Sequence, residues 1–315
     1  MTFGREKTGA IKGILAIVII LDHLSYALPS WYVLNVFREC GAPAVSLFLA
    51  ISGFGLYKSY SQKGKNYLKG FLKSRIWKVI LPALLATLLY YLILWNPERN
   101  LLEDFKNTFV HGSPPLPQLW FVIEITLFYL FFWTAFGLFG EGGIYGLVAG
   151  AAAIFAWTYL SDFGRNWWIS VLAFPTGAFM ARYEAVLFTF CERTRFHFWG
   201  LIASLLLLFL LLFLSGNPLL WSLCYAVIPM CGILILSRIP AKVLSGRFLL
   251  FCGTISYELY LCHQIPIDYF RGKVINISSD ILYMLLVLIA TFVLAYFLHS
   301  VTQLGRKENK RITAK

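Results

Sequence analysis

Apolar residues run along this chain in long blocks separated by short polar or charged connections. The blocks fall at about 11–28, 36–57, 78–95, 119–139, 143–160, 167–184, 197–214, 218–236, 247–267 and 281–304. Most are close to the roughly 20 mainly apolar residues that an α-helix needs to cross a bilayer. The pattern predicts an all-α integral membrane protein, a bundle of about ten transmembrane helices. Pro43, Pro82, Pro175, Pro229 and Pro266 lie within or at the edges of spans, which membrane helices tolerate better than soluble ones. No internal repeat stands out, and the inverted halves typical of many transporters are not evident.

Composition narrows the function classes. With 59% hydrophobic and 13% charged residues, the chain is neither an ordinary soluble domain nor a disordered one. Ten spans would occupy roughly 200 positions, which leaves no room for a soluble catalytic domain. Chemistry must then take place within the bundle or at its faces. The net charge of +12 would point to nucleic acid in a soluble protein. In this chain positive-inside topology accounts for it, and no nucleic-acid partner is expected. Of 27 Lys and Arg, 21 fall at the N-terminus, the even-numbered connections and the C-terminus, against Arg38, Arg99, Lys106, Arg165, Arg271 and Lys273 on the others. That bias predicts both termini in the cytoplasm and a multi-pass protein of the cytoplasmic membrane. The organisation expected is a membrane domain over 1–305 and a basic tail over 306–315 that meets anionic lipid. Arg5, Lys7 and Lys12 precede the first apolar run as in a signal peptide, but no A-x-A site follows, so a retained helix is expected. Six cysteines form no C-x-x-C pair; they read as small core residues, and no metal site is predicted.

Ionisable residues inside spans are costly and mark interior or water-filled positions. Lys12, Asp22, His23, Glu124, Glu258, His263 and His299 are in this group. Lys12 and His23 are eleven residues apart. On a helix this brings them within about 20° of one another and about 16 Å apart along the axis. Asp22 points about 100° away from His23 and is expected to be a poor orienting partner. In the ninth span Ser256, Tyr260 and His263 form an i, i+4, i+7 polar stripe, suited equally to helix packing and to an acceptor-side role. Glu124 follows Leu119-Trp120-Phe121, where the tryptophan also suits an interfacial anchor. Ser52-Gly53 permits close approach by a neighbouring helix or by a slender ligand such as pantetheine, with packing favoured on composition. The connection around Leu116 to Leu119, with His111, Pro114 and Pro115, is the longest external one. It could shape an acceptor site, although a surface loop is the default.

The connection after the second span holds Lys58, Lys63, Lys65, Lys69, Lys73, Arg75 and Lys78 with no acid between them. Arg75 and Lys78 share a face of the helix start, where the dipole adds positive potential. Headgroups of membrane lipids are one partner; a multiply phosphorylated cytoplasmic ligand is the other. No glycine motif for ATP or NAD is present.

These segments together resemble the acyltransferase-3 family of bacterial integral-membrane acyltransferases. Lys12-Gly13-Ile14-Leu15-Ala16 continuing to His23 is similar to its first-helix motif ending in a signature histidine. Val45 to Phe54, ending Ser52-Gly53-Phe54, resembles its second-helix segment, and Phe71 to Lys78 with Pro82 resembles its R-x-x-R motif. Leu119-Trp120-Phe121 and the stretch Gly253 to His263 complete the match in the expected order. Lysine stands at Lys12 and Lys78 where arginine is common, and lysine cannot form the bidentate fork to phosphate. Glu124 falls one position from the acidic site of larger members, so no family role passes to it, and it remains a candidate acceptor-side or supporting residue. The chain is similar to members that stand alone without an SGNH hydrolase-like domain.

The resemblance implies O-acyl transfer, most often of acetyl, from cytoplasmic acyl-CoA to a hydroxyl of a cell-surface or lipid-linked carbohydrate. Acyl-CoA is then a substrate, and no permanently bound cofactor is expected. Arg75 and Lys78 would hold CoA phosphates, Lys12 would line the mouth, and Ser52 and Gly53 would let pantetheine pass. His23 would be the catalytic base or, in an alternative mechanism, carry the acyl group. His263, with Ser256 and Tyr260, would support it or position the acceptor. A polar-solute transporter or flippase is the competing reading. The acceptor sugar and the oligomeric state are left open.

Overall fold

The computed structural model describes residues 3–29, 31–94, 100–272 and 274–312, with the backbone alone at 5 and 305–312. Arg99, Lys273 and Lys315, which enter the charge asymmetry, lie outside the described residues, as does the tail end 313–315. The helices in chain order are α1 (Arg5–Ala27), α2 (Gly41–Lys63), α3 (Phe71–Arg75), α4 (Leu81–Ile93), α5 (Leu101–Val110), α6 (Leu119–Phe139), α7 (Gly143–Leu160) and α8 (Asn166–Ile169). They continue with α9 (Ala173–Arg182), α10 (Glu184–Arg193), α11 (Arg195–Leu214), α12 (Pro218–Arg238), α13 (Arg247–Thr254), α14 (Ser256–Cys262), α15 (Gln264–Phe270) and α16 (Asp280–Ile312). The chain is 83% helical with no strand among the described residues, apart from one isolated bridge between Arg271 and Asn276.

Among the described residues, six stretches are long and apolar enough to cross a membrane: Glu6–Ala27, Phe71–Ile93, Leu119–Leu160, Arg195–Leu214, Pro218–Arg238 and Asp280–Leu304. Leu119–Leu160 holds both α6 and α7, joined by a tight turn at Gly140–Gly142. The spans expected at 36–57, 167–184 and 247–267 are not among the six. In the first region the helix starts at Gly41 and runs on into the polar end Ser59–Lys63. The second is broken between α8 and α9, with Pro175 in the first turn of α9. The third is broken at Ile255 and again at His263, with Pro266 in the first turn of α15. Proline carries no N–H for the preceding turn, so it suits the restart of a helix and not its interior. The expected tail beginning at 306 is, as far as 312, a continuation of α16.

The chain divides into two compact units. One comprises Met1–Thr8, Ala42–Leu72 and Glu124–Gly246; the other comprises Gly9–Gly41, Lys73–Ile123 and Arg247–Lys315. In the first unit α2 meets α9 backbone to backbone. A Cβ on Gly53 would lie 2.1 Å from the Phe174 carbonyl oxygen, and one on Gly177 would lie 1.9 Å from that of Ala50. Aromatic rings fill the space beside this crossing: Phe128 stacks on Phe174 at 4.6 Å and Phe132 on Phe136 at 4.4 Å. Buried polar groups are paired in the same unit, as the hydroxyls of Ser46 and Ser170 are at 2.9 Å and the Lys7 Nζ and Ser237 carbonyl are at 2.9 Å.

The second unit is built on a similar crossing between α1 and α13. A Cβ on Gly13 would lie 2.7 Å from the Gly253 nitrogen, and one on Gly253 would lie 2.2 Å from the Gly9 carbonyl oxygen. Small residues allow this approach, and in a membrane van der Waals contact of this kind drives helix association. α14 packs against α16, where Glu258 Oε1 and His299 Nδ1 pair at 3.0 Å. Two ionisable groups in apolar helices thereby satisfy each other. Within this unit α5 is amphipathic: Leu101, Leu102, Phe105 and Phe109 are exposed on one side, while Asp104 on another accepts a hydrogen bond from Tyr91 at 2.5 Å.

Candidate active site

The glycine crossing in the second unit leads to a pair of histidines. Ten residues beyond Gly13 on α1 is His23, and ten residues beyond Gly253 is His263 at the end of α14. Ten residues of helix extend about 15 Å. At that distance from the crossing the two imidazoles meet edge to face, with ring centroids 4.7 Å apart. Backbone contact at one end therefore sets ring contact at the other.

The two histidines differ in what their nitrogens do. His23 Nδ1 lies 2.9 Å from the Ile19 carbonyl oxygen, which can only accept, so Nδ1 carries the proton. Nε2 is left with its lone pair and has no protein partner among the described residues. The side chain is 39% exposed, so that lone pair is accessible. His263 is fully buried. Its Nδ1 donates to the Tyr260 carbonyl at 2.8 Å, and its Nε2 is 3.1 Å from Gln118 Nε2.

A chain of amides fixes the direction of that second bond. Asp268 Oδ1 accepts from Gln264 Nε2 at 2.8 Å, which turns the Gln264 oxygen toward Gln118. Gln118 Nε2 donates to that oxygen at 3.4 Å and to His263 Nε2 at 3.1 Å. His263 is thus held neutral by two hydrogen bonds, one given and one received. The Gln118 carbonyl also accepts from the Tyr260 hydroxyl at 3.3 Å. Phe121, one turn along from Gln118, packs its ring 5.1 Å from that of Tyr260.

The other sequence candidates distribute as follows. Lys12 lies on α1 close enough to Arg75 for the two positive charges to interact, and it has no carboxylate partner among the described residues. Arg75 is half-buried and Lys78 exposed. Directly after Arg75 the helix widens into a π turn over Ile76–Ile80 that contains Lys78, which departs from the i, i+3 α-helical register expected to place the two on one face. Ser256 does not extend the polar stripe toward the histidines, because its hydroxyl donates back to the Gly253 carbonyl at 3.0 Å.

Ser52, Gly53 and Glu124 belong to the other unit. Gly53 does not front an open passage for pantetheine: the Phe174 carbonyl and the Ala178 nitrogen fill the space beside it. The Ser52 hydroxyl is bonded to the Phe48 carbonyl of its own helix at 3.0 Å. Glu124 is buried, and neither of its carboxylate oxygens has a hydrogen-bond partner among the described residues. The expected seven-cation cluster is also divided. Lys58 is engaged with Glu184, Lys63, Lys65 and Lys69 lie in the first unit, and Lys73, Arg75 and Lys78 lie in the second.

Sequence reasoning missed Gln118, Gln264 and Asp268, because neutral amides carry no cost signal in an apolar run. Gln118 stands directly before the Leu119-Trp120-Phe121 segment, and that adjacency was the available clue. Asp22 was set aside on helical angle. Its carboxylate nevertheless folds back to 3.7 Å from His23 Nδ1.

The site thus places, on the membrane-length helix α1, a part-exposed histidine whose Nε2 has no hydrogen-bond partner among the described residues. Comparison with protein families gives the class. The acyltransferase-3 family, described as an acyltransferase domain, matches residues 9–300, and the chain belongs to that family. Searches of curated proteins and of solved structures returned no match.

Proposed function

We propose that this membrane acyltransferase moves an acyl group, acetyl in the first instance, from cytoplasmic acyl-CoA to a hydroxyl of a cell-surface or lipid-linked carbohydrate. The observation that carries the reading is the state of His23: a proton fixed on Nδ1 by Ile19, and an exposed Nε2 lone pair. A hydroxyl is a weak nucleophile at neutral pH, and an imidazole of this tautomer can take its proton. As the acceptor oxygen attacks the thioester carbonyl, a C–O bond forms and the C–S bond breaks. The proton passes from the hydroxyl to Nε2 and then to the departing CoA sulfur. His263, bonded at both nitrogens, holds the edge of the His23 ring and takes no proton itself.

The donor reading rests on Lys12 and Arg75, two neighbouring positive charges with the chemistry to receive phosphate. Lys78, exposed a few residues on, adds a point charge at the same mouth. In this reading the bundle has about ten membrane crossings in the cytoplasmic membrane, both termini are cytoplasmic, and the His23 end of α1 faces outward. The transporter or flippase reading draws no support from the family match.

The test is purified protein in detergent with radiolabelled acetyl-CoA, a panel of alkyl glycosides and an envelope glycan fraction. Label reaching a glycan without any gradient is the expected result, and His23→Ala should abolish it while the protein stays monodisperse. Wild-type transfer by that variant would remove His23 from the chemistry. Label confined to acceptors other than carbohydrate would overturn the acceptor class.

A further inference from the structure

We propose that Asp22 is a positioning residue for His23, a fixed buried counter-charge for the imidazolium that forms when Nε2 takes the acceptor's proton. This rests on the reading of His23 as the base. In the resting site Asp22 is 6% exposed, and its Oδ1 has no hydrogen-bond partner among the described residues. Its Oδ2 is 3.7 Å from His23 Nδ1, beyond hydrogen-bonding distance, and Nδ1 already donates to Ile19. Asp22 is therefore not needed to choose the tautomer. What it supplies is charge.

The backbone at Gly41 and Glu39 hydrogen-bonds the carboxylate and keeps it in place as an anion, and no Lys or Arg among the described residues pairs with Asp22. Arg38, a nearby cation in sequence, stacks over the Tyr26 ring at 4.7 Å. The groups facing the pair are few. Glu39 accepts from the Tyr26 hydroxyl at 2.6 Å and adds negative charge, the Cys40 thiol is neutral, and His263 is bonded at both nitrogens. Among the described residues, the imidazolium of His23 is the positive charge that can arise within 4 Å of Asp22.

Backbone geometry holds the carboxylate in place. A Cβ on Gly41 would lie 2.6 Å from Asp22 Oδ2, so a side chain at the start of α2 would push the carboxylate aside. The preceding Glu39 has φ of 69°, a left-handed conformation that is uncommon for a side chain of this size. That turn brings Gly41 over the carboxylate. An electrostatic partner fixed before the reaction needs no reorganisation when charge develops, which is why such groups accelerate proton transfer.

The experiment compares wild type, Asp22→Asn, Gly41→Ala and His23→Gln with acetyl-CoA as donor and alkyl glycosides as acceptors, reading free CoA thiol across pH. A carboxylate at this distance from a partly exposed imidazolium is worth about tenfold to a hundredfold in rate. Asp22→Asn should lower kcat by that factor, leave both KM values within about twofold, and move the acid limb of the profile about one pH unit lower. Gly41→Ala, which pushes the carboxylate aside, should act in the same direction to a smaller extent. It becomes the deciding variant should Asp22→Asn lose its monodisperse fold. An unchanged kcat and acid limb in whichever variant is folded would overturn the role of Asp22 while leaving His23 as base, provided that His23→Gln is inactive. Activity retained in His23→Gln would instead overturn the base assignment itself.

Discussion

Gly253→Ala is the sharpest single test of how the histidine pair is held. The added Cβ would sit 2.2 Å from the Gly9 carbonyl oxygen and close to the Ala10 nitrogen at 3.3 Å. Ordinary carbon contact begins near about 3.5 Å, so α1 and α13 must separate by more than about 1 Å. The obstacle is backbone on a membrane-length helix and cannot rotate away as a side chain would. Overpacking of this kind costs about 1–3 kcal/mol, more than the ~0.5–1 kcal/mol that alanine gains over glycine inside a helix. The His23 and His263 rings, 4.7 Å apart ten residues along, would lose their edge contact, and a displacement of about 1 Å at a reacting group costs about a hundredfold in rate. The matched control is Gly9→Ala in the same crossing, since a Cβ there meets nothing within 4 Å and should leave stability unchanged or raise it slightly. Both variants should be assayed for acetyl transfer in detergent and for thermal unfolding in the same micelle. Wild-type activity and unfolding temperature for Gly253→Ala would show that the crossing does not set the histidine geometry.

The remaining predictions concern separate parts of the site. Arg75→Ala should raise the KM for acetyl-CoA about tenfold or more, the worth of a lost charge-assisted hydrogen bond of ~1.5–3 kcal/mol; Lys63→Ala, at an exposed position in the other unit, should do much less, and equal small effects would reduce Arg75 to a topology charge. His263→Gln should lower activity less than His23→Gln in parallel rate measurements, and the reverse order would exchange their roles. Gln118→Leu should strip a partner from both His263 Nε2 and Gln264 Oε1, each orphan costing about 1–3 kcal/mol, and should depress unfolding temperature and kcat together. A Gln118→Leu protein as stable and active as wild type would show that the amide chain does not restrain His263.

The helical class, the apolar stretches and the candidacy of His23 and His263, whose rings the structure brings into contact, were legible in the sequence, because ionisable residues in apolar blocks stand out by cost alone. The interruptions in the segment 247–270 were only partly legible. Pro266 is visible, but the break at Ile255, two residues beyond the close approach of Gly253 to α1, has no local signal. Gly53 could be read as a packing position or as room for a ligand until the Phe174 carbonyl was seen against it. Asp22 does not orient His23 through a hydrogen bond, as its helical angle implies, but its proximity was not legible: helical angles describe Cβ directions, whereas a carboxylate beside Gly41 can turn back to 3.7 Å from the next residue's ring nitrogen. Gln118 was hidden for another reason: a neutral amide looks unremarkable until its partners, 145 and 146 residues away in sequence, are placed around it.

The cysteines have an experimental consequence. Five of the six are buried, and Cys40 alone is partly open, just before Gly41 and the Asp22 carboxylate. Partial burial and the charge of Asp22 push its thiol up from the ordinary value, so a maleimide reagent should modify it slowly at neutral pH and faster in mildly alkaline buffer. The wild-type chain therefore carries its own single-site topology reporter, with no need for a cysteine-free background. A membrane-impermeant maleimide added to intact cells should label Cys40 when the His23 end of α1 faces outward, and should label it only after lysis when that end faces the cytoplasm.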